Sequence, residues 1–156
     1  EDTEVAIIAS HHFTAWERWE EAKAALDRLP PAAHHEPSVQ CQHAAIELSR
    51  REATHALERI DLALGQHPDD LPLWRMRLQV LIDFGRFTDA EAQLSRIEAV
   101  HPKLDTTTDR FKLLRSQSRD QDAWELIQAW YQSQPNSTRV QSTWCRERLR
   151  RIERGL

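Results

Sequence analysis

Eight histidines, two cysteines and a few paired acids are the residues of this 156-residue chain that could do chemistry. His43, His55 and His67 lie twelve apart, and His11-His12 and His34-His35 are adjacent pairs. Helical metal sites place two histidines at i and i+4, so that both rings reach one ion from a single face; no pair here has that spacing. The twelve-residue interval puts the three on different helices or different ends, and no metal is expected. His67 and His101 read instead as helix C-terminal residues, where a partly positive imidazole meets the negative end of the dipole. Cys41 and Cys145 stand far apart in no CxxC arrangement and read as half-buried free thiols. Asp69-Asp70, beside proline, reads as a helix N-cap and not as a catalytic pair of carboxylates. There is no GxSxG, P-loop or GxGxxG, and no recognisable Cys/His frame. The expectation is no enzyme, no catalytic residue and no cofactor.

The elements that would position such residues are helical. Three glycines against seven prolines leave little material for tight hairpins or phosphate-cradling loops. Ala, Leu, Glu, Arg and Gln dominate, the residues that lose least on entering a helix. No apolar run approaches the roughly 20 residues that span a bilayer, so membrane insertion is not expected. A net charge of −4 disfavours nucleic acid, whose phosphates call for a basic face. The charge is uneven: from Arg139 onward six arginines face Glu147 and Glu153, making that tail +4 and the remainder −8. The chain begins with Glu and not Met, which suggests a processed protein or a domain of a longer one. The cytoplasm is the favoured compartment, with the periplasm left open.

A period organises the helices. Ala90 and Pro102 recur 34 residues earlier as Ala56 and Pro68 and 33 later as Ala123 and Pro135; Ala22 begins the series. Four residues after each alanine stand Leu26, Ile60, Leu94 and Ile127, and three further on Leu29, Ala63, Ile97 and Trp130. Each unit reads as two helices. In the clearest copy Trp74, Leu78 and Leu81 share one face of the first, Gly85 breaks it, and Phe87, Ala90, Leu94 and Ile97 stripe the second until Pro102 stops it. Neither helix can bury its stripe alone, so neighbouring pairs must stack.

Trp74, Leu78, Gly85, Phe87, Ala90, Leu94 and Pro102 together resemble the signature of the tetratricopeptide repeat. The resemblance implies an all-α fold, a right-handed α-solenoid of antiparallel helix pairs. Its units are 3–36, 37–70, 71–103 and 104–136, closed by a capping helix at 137–156. The pattern departs from the signature where Arg51 and Arg119 stand in the place of Gly85 and Gln40 in that of Trp74. The pentatricopeptide array, an RNA reader of period 35, fits an acidic chain badly. In the cap, Val140, Trp144, Leu149, Ile152 and Leu156 form the stripe expected to cover the last repeat, with arginines outside. Contact of this tail with anionic lipid is disfavoured because packing would consume that stripe. Trp16, Trp19, Trp124 and Trp130 fall on packing stripes and read as core aromatics.

In this family the first helix of each pair lines a concave groove, and the resemblance implies the same here. By spacing, that face carries Arg75, Gln79, Ile82 and Asp83 in the third unit and Thr108, Lys112, Arg115 and Ser116 in the fourth. The second unit offers Cys41, Ala45, Leu48 and Ser49, the first Ile7, His11 and Thr14. The candidate ligand-groove residues are therefore Arg75, Gln79, Asp83, Lys112, Arg115 and Ser116. Such a groove suits a protein or peptide with an apolar segment and an acidic end, the cations supplying charge-assisted bonds. The expected role is a scaffold or adaptor. The alternative is an accessory repeat region of a larger bacterial-type enzyme or export machine, its partner another domain of the same longer chain.

Overall fold

The computed structural model describes residues 2–153 and 155. Among them are nine α-helices, one 3-10 turn (Ala33–His35) and no strand. The chain forms two compact units, Glu1–Arg86 and Phe87–Leu156. In the first, α1 (Asp2–Ala15) packs on α2 (Trp19–Asp27) and α3 (Pro37–Ser49). Helix α3 also packs on α4 (Ala53–Gln66) and α5 (Leu71–Asp83), and α4 meets α5. In the second, α6 (Phe87–Val100) packs on α7 (Thr107–Ser116), α7 on α8 (Asp120–Ser133), and α8 on α9 (Thr138–Glu153). Within each unit a helix packs on its sequence neighbour or on the next but one, as in a stacked array.

One turn recurs in the backbone. Glu17, Arg51, Gly85 and Ser118 adopt left-handed φ values of 59°, 66°, 72° and 59°, at positions 34, 34 and 33 apart. Each is followed by a residue whose N–H reaches back five positions: Arg18 to Phe13, Glu52 to Glu47, Arg86 to Leu81 and Arg119 to Leu114, at 2.8–2.9 Å. This closure satisfies carbonyls that the ending helix leaves open and reverses the chain. The fourth left-handed residue is Ser118, not Arg119: the shortened last unit moves the turn back by one. A non-glycine residue costs about 1–2 kcal/mol there, and three of the four turns bear that cost.

The periodic positions are the core. Ala22, Ala56, Ala90 and Ala123 are completely buried, as are Leu26, Ile60 and Ile127, with Leu94 nearly so. Each such Leu or Ile contributes about 2 kcal/mol by leaving water. Small alanines in contact-bearing helices let backbones approach. The His-Pro punctuation is structural as well. The Pro68 carbonyl accepts the Trp74 indole N–H at 2.8 Å, pinning the end of α4 to α5. Asp70 caps α5, its Oδ1 accepting from the Leu73 N–H at 2.9 Å. Trp16 departs from expectation: it is 64% exposed, and Trp19 alone of that pair packs against the first unit's core.

Helix pairs are also tied by charge. Arg59 Nε and Nη2 donate to Glu47 between α4 and α3, and Arg77 Nε to Asp61 between α5 and α4. Arg110 Nη2 donates to both Glu98 oxygens between α7 and α6.

Candidate functional site

The first unit presents a continuous stripe on α5. Arg75 and Gln79 are half-buried, Asp83 is exposed, and Gln79 Nε2 donates to Asp83 Oδ1 at 2.6 Å across one helical turn. The stripe runs into a depression of about 450 Å³ lined by Leu48, Ser49, Arg51, Asp83 and Phe84, where the C-terminal ends of α3 and α5 meet. Leu48 supplies an apolar wall and Arg51, projected from the left-handed turn, a guanidinium. Ser49 Oγ donates back to the Ala45 carbonyl at 2.9 Å. Further along α3, burial and then the nearby Asp70 carboxylate push the Cys41 thiol up to about 11. That keeps it protonated and unreactive. On α1 the expected face is reduced. Ile7 is half-buried against the Ala22/Leu26 core, and Thr14 Oγ1 donates to the Ser10 carbonyl at 2.8 Å, leaving His11 exposed.

In the second unit the residues expected on α7 differ in their surroundings. Lys112 and Ser116 are exposed, but Arg115 lies inward, with Nη1 2.5 Å from Asp120 and 3.2 Å from Glu147 of α9. Thr108, on the same helix, accepts from Arg139 Nη2 of α9 at 2.7 Å. The closing helix therefore occupies part of the face assigned to a ligand. A guanidinium already facing two carboxylates has little left for a third. Glu147 is only 2% exposed, a buried acid within an arginine-rich helix that the spacing of apolar residues did not reveal.

The inner face of α9 is accordingly not the predicted stripe. Val140 is buried and Trp144 half-buried, whereas Leu149 and Ile152 point outward; Leu156 lies outside the described residues. Helical phase explains the difference, since Val140, Glu147 and Arg151 fall on one side and Leu149 on the other. Beside the aliphatic contact of Val140 with the Ile127/Trp130 cluster, the rest of the interface is aromatic. Trp144 stacks on Tyr131 with centroids 4.8 Å apart and on Trp124 at 6.3 Å. Arg151 covers Trp124 at 5.1 Å and Arg148 covers Trp144 at 5.0 Å.

The histidines do not converge. Among the described residues, no three His, Cys, Asp or Glu side chains are grouped to hold a metal. His43 is buried, and that burial, reinforced by the Arg59 charge, holds its imidazole below the usual histidine range. His67 Nε2 lies 3.2 Å from the His35 carbonyl, a contact that joins α4 to the 3-10 turn. A second depression, also about 450 Å³, has His35, His55, Glu58 and Leu62 at its walls. Its other charges are engaged with each other: Arg59 donates to Glu47 at 2.6 Å and to Gln40 at 3.4 Å.

No protein-family model and no curated protein matches the chain. A solved structure of MamA from AMB-1, a tetratricopeptide-repeat protein, superposes on it with a TM-score of 0.56. The match covers 99% of this chain and 86% of that one at 15% identity. The fold is of the tetratricopeptide type. At that identity the likeness speaks to architecture alone, and fold does not carry function.

Proposed function

We propose that the chain is a non-catalytic binding scaffold that holds a protein segment on the first-helix face of its repeats. The carrying observation is the α5 stripe Arg75–Gln79–Asp83 leading into the depression walled by Leu48, Ser49 and Arg51. Helices α3 and α5 display apolar, hydrogen-bonding and cationic groups within a few turns, enough to seat an extended peptide with an apolar residue and an acidic end. On α7 the corresponding exposed groups are Lys112 and Ser116. Arg115 supports that face from beneath through Glu147 and does not itself meet ligand.

A peptide array varying acidic and apolar positions, followed by isothermal titration of the selected sequence, tests this reading. Leu48→Asp and Arg75→Glu should each weaken binding by more than tenfold with helicity unchanged. Affinity indifferent to both substitutions removes the assignment of the site.

A further inference from the structure

The outer face of α9 carries a second surface, independent of the ligand face just described. The inner face of this helix uses Val140, Trp144, Glu147 and Arg151, all buried or half-buried. At about 100° per residue, Cys145, Leu149 and Ile152 fall on the opposite side. Leu149 and Ile152 are 61% and 64% exposed. Arg146 lies on one flank of this ridge, with the exposed Glu153 beside it, and Arg148 lies on the other; Arg150, further round, turns its Nη1 to within 3.5 Å of Glu147. The stack of Arg148 on Trp144 orients its guanidinium without neutralising it.

We propose that this face of α9 docks on an anionic lipid surface. Leu149 and Ile152 enter the boundary between headgroups and acyl chains, and Arg146 and Arg148 meet lipid phosphates. Charge selects the occupant: the helix carries Arg139, Arg146, Arg148, Arg150 and Arg151 against two glutamates, of which Glu147 is turned inward. The ridge is a convex edge one residue wide with cations on both sides, and a plane of phosphates meets both flanks at once. An acidic protein surface would have to be concave to do the same. The sequence reading set lipid aside because packing would consume the apolar stripe, and the exposure of Leu149 and Ile152 removes that objection. Among the described residues no helix is long and apolar enough to cross a membrane.

Flotation of the full chain with vesicles tests the proposal, using phosphatidylcholine alone or with about 30 mol% phosphatidylglycerol to set a negative surface potential. The chain should float with the anionic vesicles only, and less so when salt rises from about 0.1 to 0.5 M and the Debye length shortens. The double variant Leu149→Ser/Ile152→Ser should lower the partition about tenfold with unchanged circular dichroism. Arg146→Glu should lower it more than tenfold, each charge near the surface contributing about fivefold. Three results overturn the proposal: no flotation with anionic vesicles, binding unchanged in the serine variant, or capture by polyglutamate without vesicle binding. The last would assign the ridge to an acidic protein.

Discussion

Replacing Glu147 should loosen α9 selectively, because one buried carboxylate joins it to the helices beneath. Its side chain is 3% exposed and lies 3.2 Å from Arg115 Nη1 and 3.5 Å from Arg150 Nη1. Removing one member of a fully buried ion pair costs about 3–5 kcal/mol. Here Arg115 keeps Asp120 at 2.5 Å and is 20% exposed, so it is not left alone in an apolar site. Arg150 is half in water and loses little. What remains is one charge-assisted contact, and Glu147→Gln should cost about 2 kcal/mol. For a chain of this length that lowers Tm by roughly 4–8 °C. Thermal denaturation followed by near-ultraviolet circular dichroism reads both the loss and its place, since the Trp124–Trp144–Tyr131 stack lies on the same interface. A double-mutant cycle with Arg115→Met should show a coupling of about 1–2 kcal/mol. A variant within 0.5 kcal/mol of wild type, on the scale of ordinary surface changes, or strict additivity in the cycle, would refute the reasoning.

Three further outcomes are expected. Ser118→Gly should stabilise the chain by about 1 kcal/mol and Gly85→Ala destabilise it by a similar amount, because both positions hold left-handed φ; equilibrium urea unfolding measures the pair, and equal midpoints would contradict the turn assignment. Cys145 is exposed while Cys41 is half-buried with its thiol at about 11. At pH 8 the Cys41 thiolate fraction is about one in a thousand, so a thiol reagent should label Cys145 at least 100-fold faster, and comparable rates in peptide mapping would be the opposite result. His43 is depressed in the folded chain by burial and Arg59, so above its unfolded value of 6.5 it is neutral in both states. Below that value the unfolded chain takes up a proton that the folded chain resists, and stability falls as pH drops from 6.5 through the folded value. His43→Gln should flatten the Tm profile between pH 7 and 5; an identical slope in the variant would exclude this histidine as the source.

The alanines and their followers were legible because one-in-34 spacing of buried small and large residues is itself a packing requirement. Ala22, Ala56, Ala90 and Ala123 all reach zero exposure. The turns were legible at Gly85 and less so elsewhere, since Glu17, Arg51 and Ser118 accept left-handed backbone through tertiary context and not through intrinsic preference. The closing helix is legible only in its first half, for a physical reason. Val140 and Trp144 of the expected stripe do pack inward, beside stacked aromatics and one buried acid, whereas Leu149 and Ile152 stay in water. Spacing on α7 alone does not show that Arg115 faces Asp120 and Glu147, because the second carboxylate belongs to another helix. The α5 stripe is visible in the sequence through its spacing of four, and spacing also puts Leu48 and Ser49 on the corresponding face of α3; Arg51 is not legible, because it enters the depression from the left-handed turn after that helix.

Amide hydrogen exchange with and without saturating selected peptide tests the binding account most directly. Protection should concentrate at the C-terminal turns of α3 and α5, over residues 45–51 and 79–84, with α2 and α4 exchanging as before. Protection confined to α2 or α4, or no change anywhere in the chain under saturation, would contradict it.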